Sequence, residues 1–202
     1  MKKVLMVVLA GLAVGVATSV WAEGNAEAGK TKSAVCAACH NADGNSVNPE
    51  WPKLAGQYPN YIIKELNDFK NDKRVNATMS PMAKPLSEQD MADLAAYFSS
   101  QAKKLGEADQ TKVGLGEQVY KGGNNATGVA ACAACHGPTG AGNPAANFPS
   151  LNGQHATYVK AQLLNFRSGA RANDAGKMMR NVAAKMSDAE IDSVAEYIAG
   201  LK

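Results

Sequence analysis

No run of alternating or β-branched residues in this chain is long enough to read as a strand, which removes sheet-based folds and with them thioredoxin-like redox proteins. Past residue 22 there is also no apolar run of the ~20 residues that a membrane-spanning helix needs. Charge of one sign is missing too. Setting aside Lys2 and Lys3, the 21 Lys and Arg fall to 19 against 18 Asp and Glu, a balance that supports no nucleic-acid partner. Cysteine occurs four times and histidine three, so each must be accounted for.

The start of the chain has the pattern of a secretory signal peptide: Lys2 and Lys3, an apolar run from Val4 to Val16, then Thr18, Ser19 and Val20-Trp21-Ala22. Cleavage after Ala22, and export to the periplasm, are expected. The apolar run is too short for an uncleaved anchor. Dividing the remainder at Gln110 leaves 10 basic against 12 acidic residues before it and 9 against 6 after it. Halves of opposite sign would let the two ends dock different partners.

What the chain does contain is Cys36-Ala37-Ala38-Cys39-His40, and the same five residues again at Cys132-Ala133-Ala134-Cys135-His136. Two cysteines three apart with histidine next form a haem attachment site. On a helix the cysteines lie one turn apart and the histidine projects from the neighbouring face, so one flat ligand meets all three. The thiols of Cys36, Cys39, Cys132 and Cys135 would form thioethers to two haem c groups, with His40 and His136 as proximal iron ligands. A zinc ribbon holds its cysteine pairs within roughly 15 to 20 residues, far less than the span from Cys39 to Cys132.

The repetition extends well beyond the motif. At an offset of 97, Pro52, Leu54, Gly56, Gln57, Tyr61, Leu66, Phe69, Arg74 and Asn76 match Pro149, Leu151, Gly153, Gln154, Tyr158, Leu163, Phe166, Arg171 and Asn173; at 100, Met79, Ser87 and Tyr97 match Met179, Ser187 and Tyr197. The chain is a tandem duplication of an all-α domain of roughly 80 to 90 residues, marginal in size until a haem completes its core. The expected domains are 23–105 and 114–202, joined by a polar linker at 106–113. Within each copy the spacing predicts a helix from Ala26 to Cys39 or starting at Leu115, a second at Asn60 to Lys70 or around Tyr158 to Phe166, and a last one capped by Ser87 and Asp90, or by Ser187 and Glu190.

The ligand opposite each histidine decides between electron transfer and catalysis. His155 has Tyr58 as its counterpart, so a mechanism common to both copies cannot use it. Among the methionines, only Met79 and Met179 coincide, each seven residues before the residue that precedes the capping serine. Met82 and Met186 match Val182 and Leu86 and read as packing residues, and Met178 matches Thr78. Met82 stays the rival to Met79. Iron held by histidine and methionine has no open position, which describes an electron carrier.

These residues resemble the class I cytochrome c fold, duplicated, and specifically the dihaem cytochrome c4 family. The resemblance covers the chain beyond the leader and rests on both Cys-x-x-Cys-His motifs, the Pro-x-Leu-x-Gly-Gln stretches at Pro52 and Pro149, the Arg-x-Asn pairs and the final helices ending Ala-Ala-Tyr-Phe and Ala-Glu-Tyr-Ile. It implies a periplasmic carrier passing electrons from the cytochrome bc complex toward a terminal oxidase, sometimes held peripherally at the membrane. It also implies His40 with Met79 on one iron and His136 with Met179 on the other, and haem propionates near the domain interface within reach of Arg74 and Arg171. One departure is that the segment from His136 to Met179 is four residues longer than that from His40 to Met79. The competing expectation is a dihaem oxidoreductase, a peroxidase or a sulfur-compound oxidase, in which one iron opens to substrate.

Overall fold

Helices form here where apolar residues recur one turn apart behind a capping side chain. The computed structural model describes residues 23–202; the expected leader and its cleavage lie outside the described residues. The first copy holds α1 (Ala26–Lys32), α2 (Ala34–His40), α3 (Pro59–Lys70), α4 (Met79–Ala83) and α5 (Glu88–Ser99). The second holds α6 (Val113–Gly122), α7 (Ala133–His136), α8 (Ala156–Ser168), α9 (Met178–Ala183) and α10 (Asp188–Gly200), with a short 3-10 turn at Ala175–Lys177. Isolated bridges, Asn124 with Val129 and Asn143 with Phe148, supply the β pairing among the described residues. The fold is all-α, two tandem domains.

Both expected capping boxes form. The Ser87 and Ser187 hydroxyls accept from the N–H groups of Asp90 and Glu190, whose carboxylates accept in return from the serine N–H groups at 2.9 and 2.7 Å. The first helix, by contrast, does not run unbroken to Cys39. Ser33 turns its Oγ onto the Lys30 carbonyl at 2.8 Å, ending α1 before α2 carries the first motif, the local competition that serine offers a helix. In the second copy the break widens into a loop turned by Gly123 and Gly128, both at positive φ.

The terminal helices of each domain cross in contact. A Cβ at Gly29 on α1 would lie 2.0 Å from the Asp93 carbonyl oxygen on α5, and one at Gly116 on α6 would lie 2.1 Å from that of Ser193 on α10. Only glycine permits this approach. Behind the crossings lie two cores: Ile62, Leu94, Ala95, Tyr97 and Phe98 in the first domain, and a larger group including Val119, Tyr120, Leu163, Ile191, Val194 and Ile198 in the second.

The end of the first domain and the expected linker after it are hydrogen-bonded to both domains. Lys103 Nζ donates to Ser150 Oγ at 2.6 Å and Asn152 Oδ1 at 3.0 Å, Lys104 N–H donates to Asn45 Oδ1 at 2.8 Å, and Asp109 N–H donates to Glu196 at 3.0 Å. Helix α6 begins at Val113. The Lys103 ammonium and the backbone N–H groups of Lys104 and Asp109 are the anchors.

Candidate haem sites and the seam between them

In each motif the first cysteine packs on its domain's core: Cys36 and Cys132 are half-buried against it, while Cys39 is half-buried and Cys135 exposed. All four are free thiols. Burial pushes the Cys36 thiol up and that of Cys132 to about 11. Among the described residues no three His, Cys, Asp or Glu side chains converge as a metal cluster.

The histidines are set alike. Nδ1 of His40 lies 2.9 Å from the Pro52 carbonyl oxygen, and Nδ1 of His136 lies 3.0 Å from that of Pro149. A carbonyl only accepts, so Nδ1 carries the proton in both and Nε2 is left with its lone pair. Both rings are buried. Burial pushes both imidazoles below their usual range, outweighing the carbonyl's opposite pull, so they are neutral at pH 7 and ready to coordinate. Two unpaired thiols and such an imidazole on one turn of helix fit a covalently bound haem.

The methionines separate by environment. Met79 opens α4 and is half-buried; Met179 on α9 packs against the second core. Met186 is 4% exposed within that core, as its match to Leu86 suggests, and Met178 is 44% exposed. Met82 differs from its expected packing role, with 41% of its surface exposed. Helix α4 has only five residues and buries Ser80 and Ala83, so position 82 faces outward. Of the four extra residues of the second copy, one falls between His136 and Pro149 and three fall between Asn173 and Met179, around the 3-10 turn where Gly176 and Lys177 adopt positive φ. His155 turns Nε2 across the domain boundary onto Ser46, 3.0 Å from its Oγ and 2.9 Å from its carbonyl oxygen.

Arg74 and Arg171 are not surface residues. They meet across the seam between α3 and α8, around one carboxylate. Glu65 accepts from Arg74 at 2.6 Å and pairs with Arg171 and Lys64 at 3.1 Å each. Gln162, the residue matched to Glu65 in the second copy, accepts from Arg74 at 2.8 Å and Arg171 at 3.0 Å. Each arginine also donates to the other domain's tyrosine, Arg74 to Tyr158 at 3.1 Å and Arg171 to Tyr61 at 3.0 Å. The guanidinium carbons stack 4.6 and 4.5 Å over Phe69 and Phe166 of their own domains. Burial alone would raise the Glu65 pKa, but Arg171, Arg74 and Lys64 outweigh it and hold the carboxyl at about 2. Sequence reasoning found the arginines through the repeat and missed Glu65; the Glu65 to Gln162 mismatch at an otherwise repeated position was the available signal.

Two helical units, each presenting free Cys-x-x-Cys thiols beside a neutral, carbonyl-anchored histidine, define a tandem c-type haem protein. The family model described as Cytochrome c matches residues 26–102 and again 115–202. Cytochrome c4 of Pseudomonas aeruginosa is 48% identical over 202 residues, covering 100% of both chains. The crystal structure of reduced recombinant cytochrome c4 from Pseudomonas stutzeri superimposes with a TM-score of 0.86 at 47% identity, covering 89% of this chain and 100% of that one. A thiosulfate dehydrogenase electron acceptor of Thiomonas intermedia is 38% identical over 205 residues, 98% of this chain and 91% of the relative. The chain belongs to the cytochrome c4 family and is a dihaem electron carrier with one covalently bound haem c in each domain.

Proposed function

We propose that the protein carries single electrons in the periplasm, from the cytochrome bc complex toward a terminal oxidase, associating peripherally with the membrane as it does so. In this reading residues 1–22 are a signal peptide, and domains 23–105 and 114–202 flank a linker at 106–113. Cys36 and Cys39 hold one haem and Cys132 and Cys135 the other. His40 and Met79 are the axial ligands of the first iron, His136 and Met179 those of the second. The observation that carries the assignment is the identical anchoring of the two histidines, each donating its Nδ1–H to a proline carbonyl and keeping the Nε2 lone pair. When bound, the group would supply one-electron chemistry. The chain's part is to bury the imidazoles, keep them neutral and fix their orientation, so that little rearranges as the electron moves. No helix among the described residues is long and apolar enough to cross a membrane, which fits a peripheral carrier.

The test is the long-wavelength iron to methionine-sulfur band of the oxidised protein. Met79→Ala and Met179→Ala should each remove half of it, while Met82→Ala leaves it whole; retention of the band in the Met79 variant would overturn that ligand. A second route is favoured by the Thiomonas relative, itself an electron acceptor of thiosulfate dehydrogenase: here too the donor would be a thiosulfate-oxidising enzyme. Stopped-flow reduction by each purified donor separates the two. Carbon monoxide binding to one reduced haem in the unsubstituted protein would instead point to a dihaem oxidoreductase.

A further inference from the structure

The carbonyl of Pro52 and the N–H of Lys53 belong to one planar, resonance-coupled peptide group. On one side that group accepts from His40 Nδ1 at 2.9 Å. On the other, its N–H donates across the domain boundary to Gln154 Oε1 at 2.9 Å, and Gln154 Nε2 donates back to the Lys53 carbonyl at 2.9 Å. The second domain repeats this in reverse. The Pro149 carbonyl accepts from His136 at 3.0 Å, the Ser150 N–H donates to Gln57 Oε1 at 3.0 Å, and Gln57 Nε2 donates to the Ser150 carbonyl at 2.9 Å. Each glutamine therefore stands two hydrogen bonds from the histidine of the opposite domain.

The arrangement is held in place. Each Oε1 also accepts the N–H of the next residue in its own chain segment, Tyr58 at 3.0 Å and His155 at 3.1 Å. Turning either amide over would set an NH2 group against two N–H donors, so the orientation is forced by the surrounding donors. Lys53, Gln57 and Ser150 are buried, where water does not compete and a hydrogen bond polarises the next in its chain by roughly 10–30%.

We propose that Gln57 and Gln154 are reciprocal positioning residues: each sets the strength of the hydrogen bond that orients the other domain's haem-ligating histidine, so that each domain tunes the redox potential of its neighbour. This rests on His40 and His136 being the proximal ligands. Accepting the peptide N–H makes the proline carbonyl a stronger acceptor. It draws the Nδ1 proton further, and the histidine becomes a more electron-rich donor at Nε2, which favours oxidised iron.

The experiment uses the ¹⁵N-labelled dihaem protein with Gln154→Met and Gln57→Met, which keep side-chain volume and delete the acceptor. Gln154→Met should move the His40 Nδ1–H resonance upfield and speed its exchange with solvent, with His136 unmoved. It should also shift the first-domain redox equilibrium roughly threefold toward the reduced form, which is about 28 mV at 59 mV per tenfold. Gln57→Met should do the same to the second domain alone. Asn60→Ala cuts a different contact across the seam, to the Pro144 carbonyl at 2.6 Å, and should leave both histidines as they were. A shift in the substituted domain itself, an equal shift in both, the same effect from Asn60→Ala, or no shift would each overturn the proposal. Histidine Nδ1–H signals that lack a paramagnetic shift in the oxidised unsubstituted protein would overturn the ligand assignment and the relay with it. Paramagnetically shifted signals that stay unmoved in the variants overturn the relay alone.

Discussion

Replacing Glu65 by glutamine would make the seam chemically symmetric, because Gln162 already occupies the matched place. It would also leave the buried Arg171 and the largely covered Arg74 without the carboxylate they share. Removing one partner of a buried ion pair costs about 3–5 kcal/mol, since the other charge loses its compensation. Linkage supplies a second figure. A carboxyl held at about 2 in the folded protein, against about 4.3 unfolded, favours folding by roughly 3 kcal/mol near neutrality. The folded pKa is depressed, so this stability is fully present above the unfolded value and is lost as pH falls from about 4.3 through about 2. Asp68 stands beside the cluster, accepting from Lys64 at 2.6 Å and Asn173 at 2.7 Å, and offsets part of the loss; about 2–3 kcal/mol should remain. Denaturant unfolding of the dihaem protein, followed between pH 2 and 7, measures it. Glu65→Gln should be less stable at pH 7, and its deficit should close as the pH approaches 2. Equal stability at pH 7, or a deficit that persists at pH 2, would refute the view that this carboxylate is ionised and holds the two domains together.

The helix crossings give a steeper expectation: Gly29→Ala or Gly116→Ala drives a methyl into a carbonyl oxygen 2.0 or 2.1 Å away and should cost about 1–3 kcal/mol or more, read as a drop in the melting temperature of the affected domain. Ser187→Ala removes one half of a capping box and should cost about 1 kcal/mol in the same assay. Burial first, and Lys53 second, push the Lys103 ammonium down to about 8. The unfolded chain then binds more protons than the folded one between about 8 and 10.4, so stability should rise with pH across that window, and the slope should weaken in Lys103→Met.

Much of this protein was legible in its sequence because the relevant chemistry is local. Cys36, Cys39 and His40 are fixed relative to one another by a single helical turn, and the capping serines by three residues of spacing. The duplication made the two copies controls for each other and paired Arg74 with Arg171 and Tyr61 with Tyr158. Reading failed where a side chain's role depends on what faces it. Met82 looked like a packing residue, yet a five-residue helix turns it outward. The role of Lys103, at the end of the first copy, is set by Ser150 and Asn152 of the second, to which its ammonium donates.

By itself, then, the sequence determined the cofactor chemistry, the all-helical class and the doubling, since each depends on residues close together along the chain. The seam was decided only in three dimensions. Glu65 meets Arg171, and Gln57 meets Ser150, across about half the chain. No periodicity or motif records such a pairing, because it arises from how two already folded domains settle their remaining buried donors and acceptors against each other.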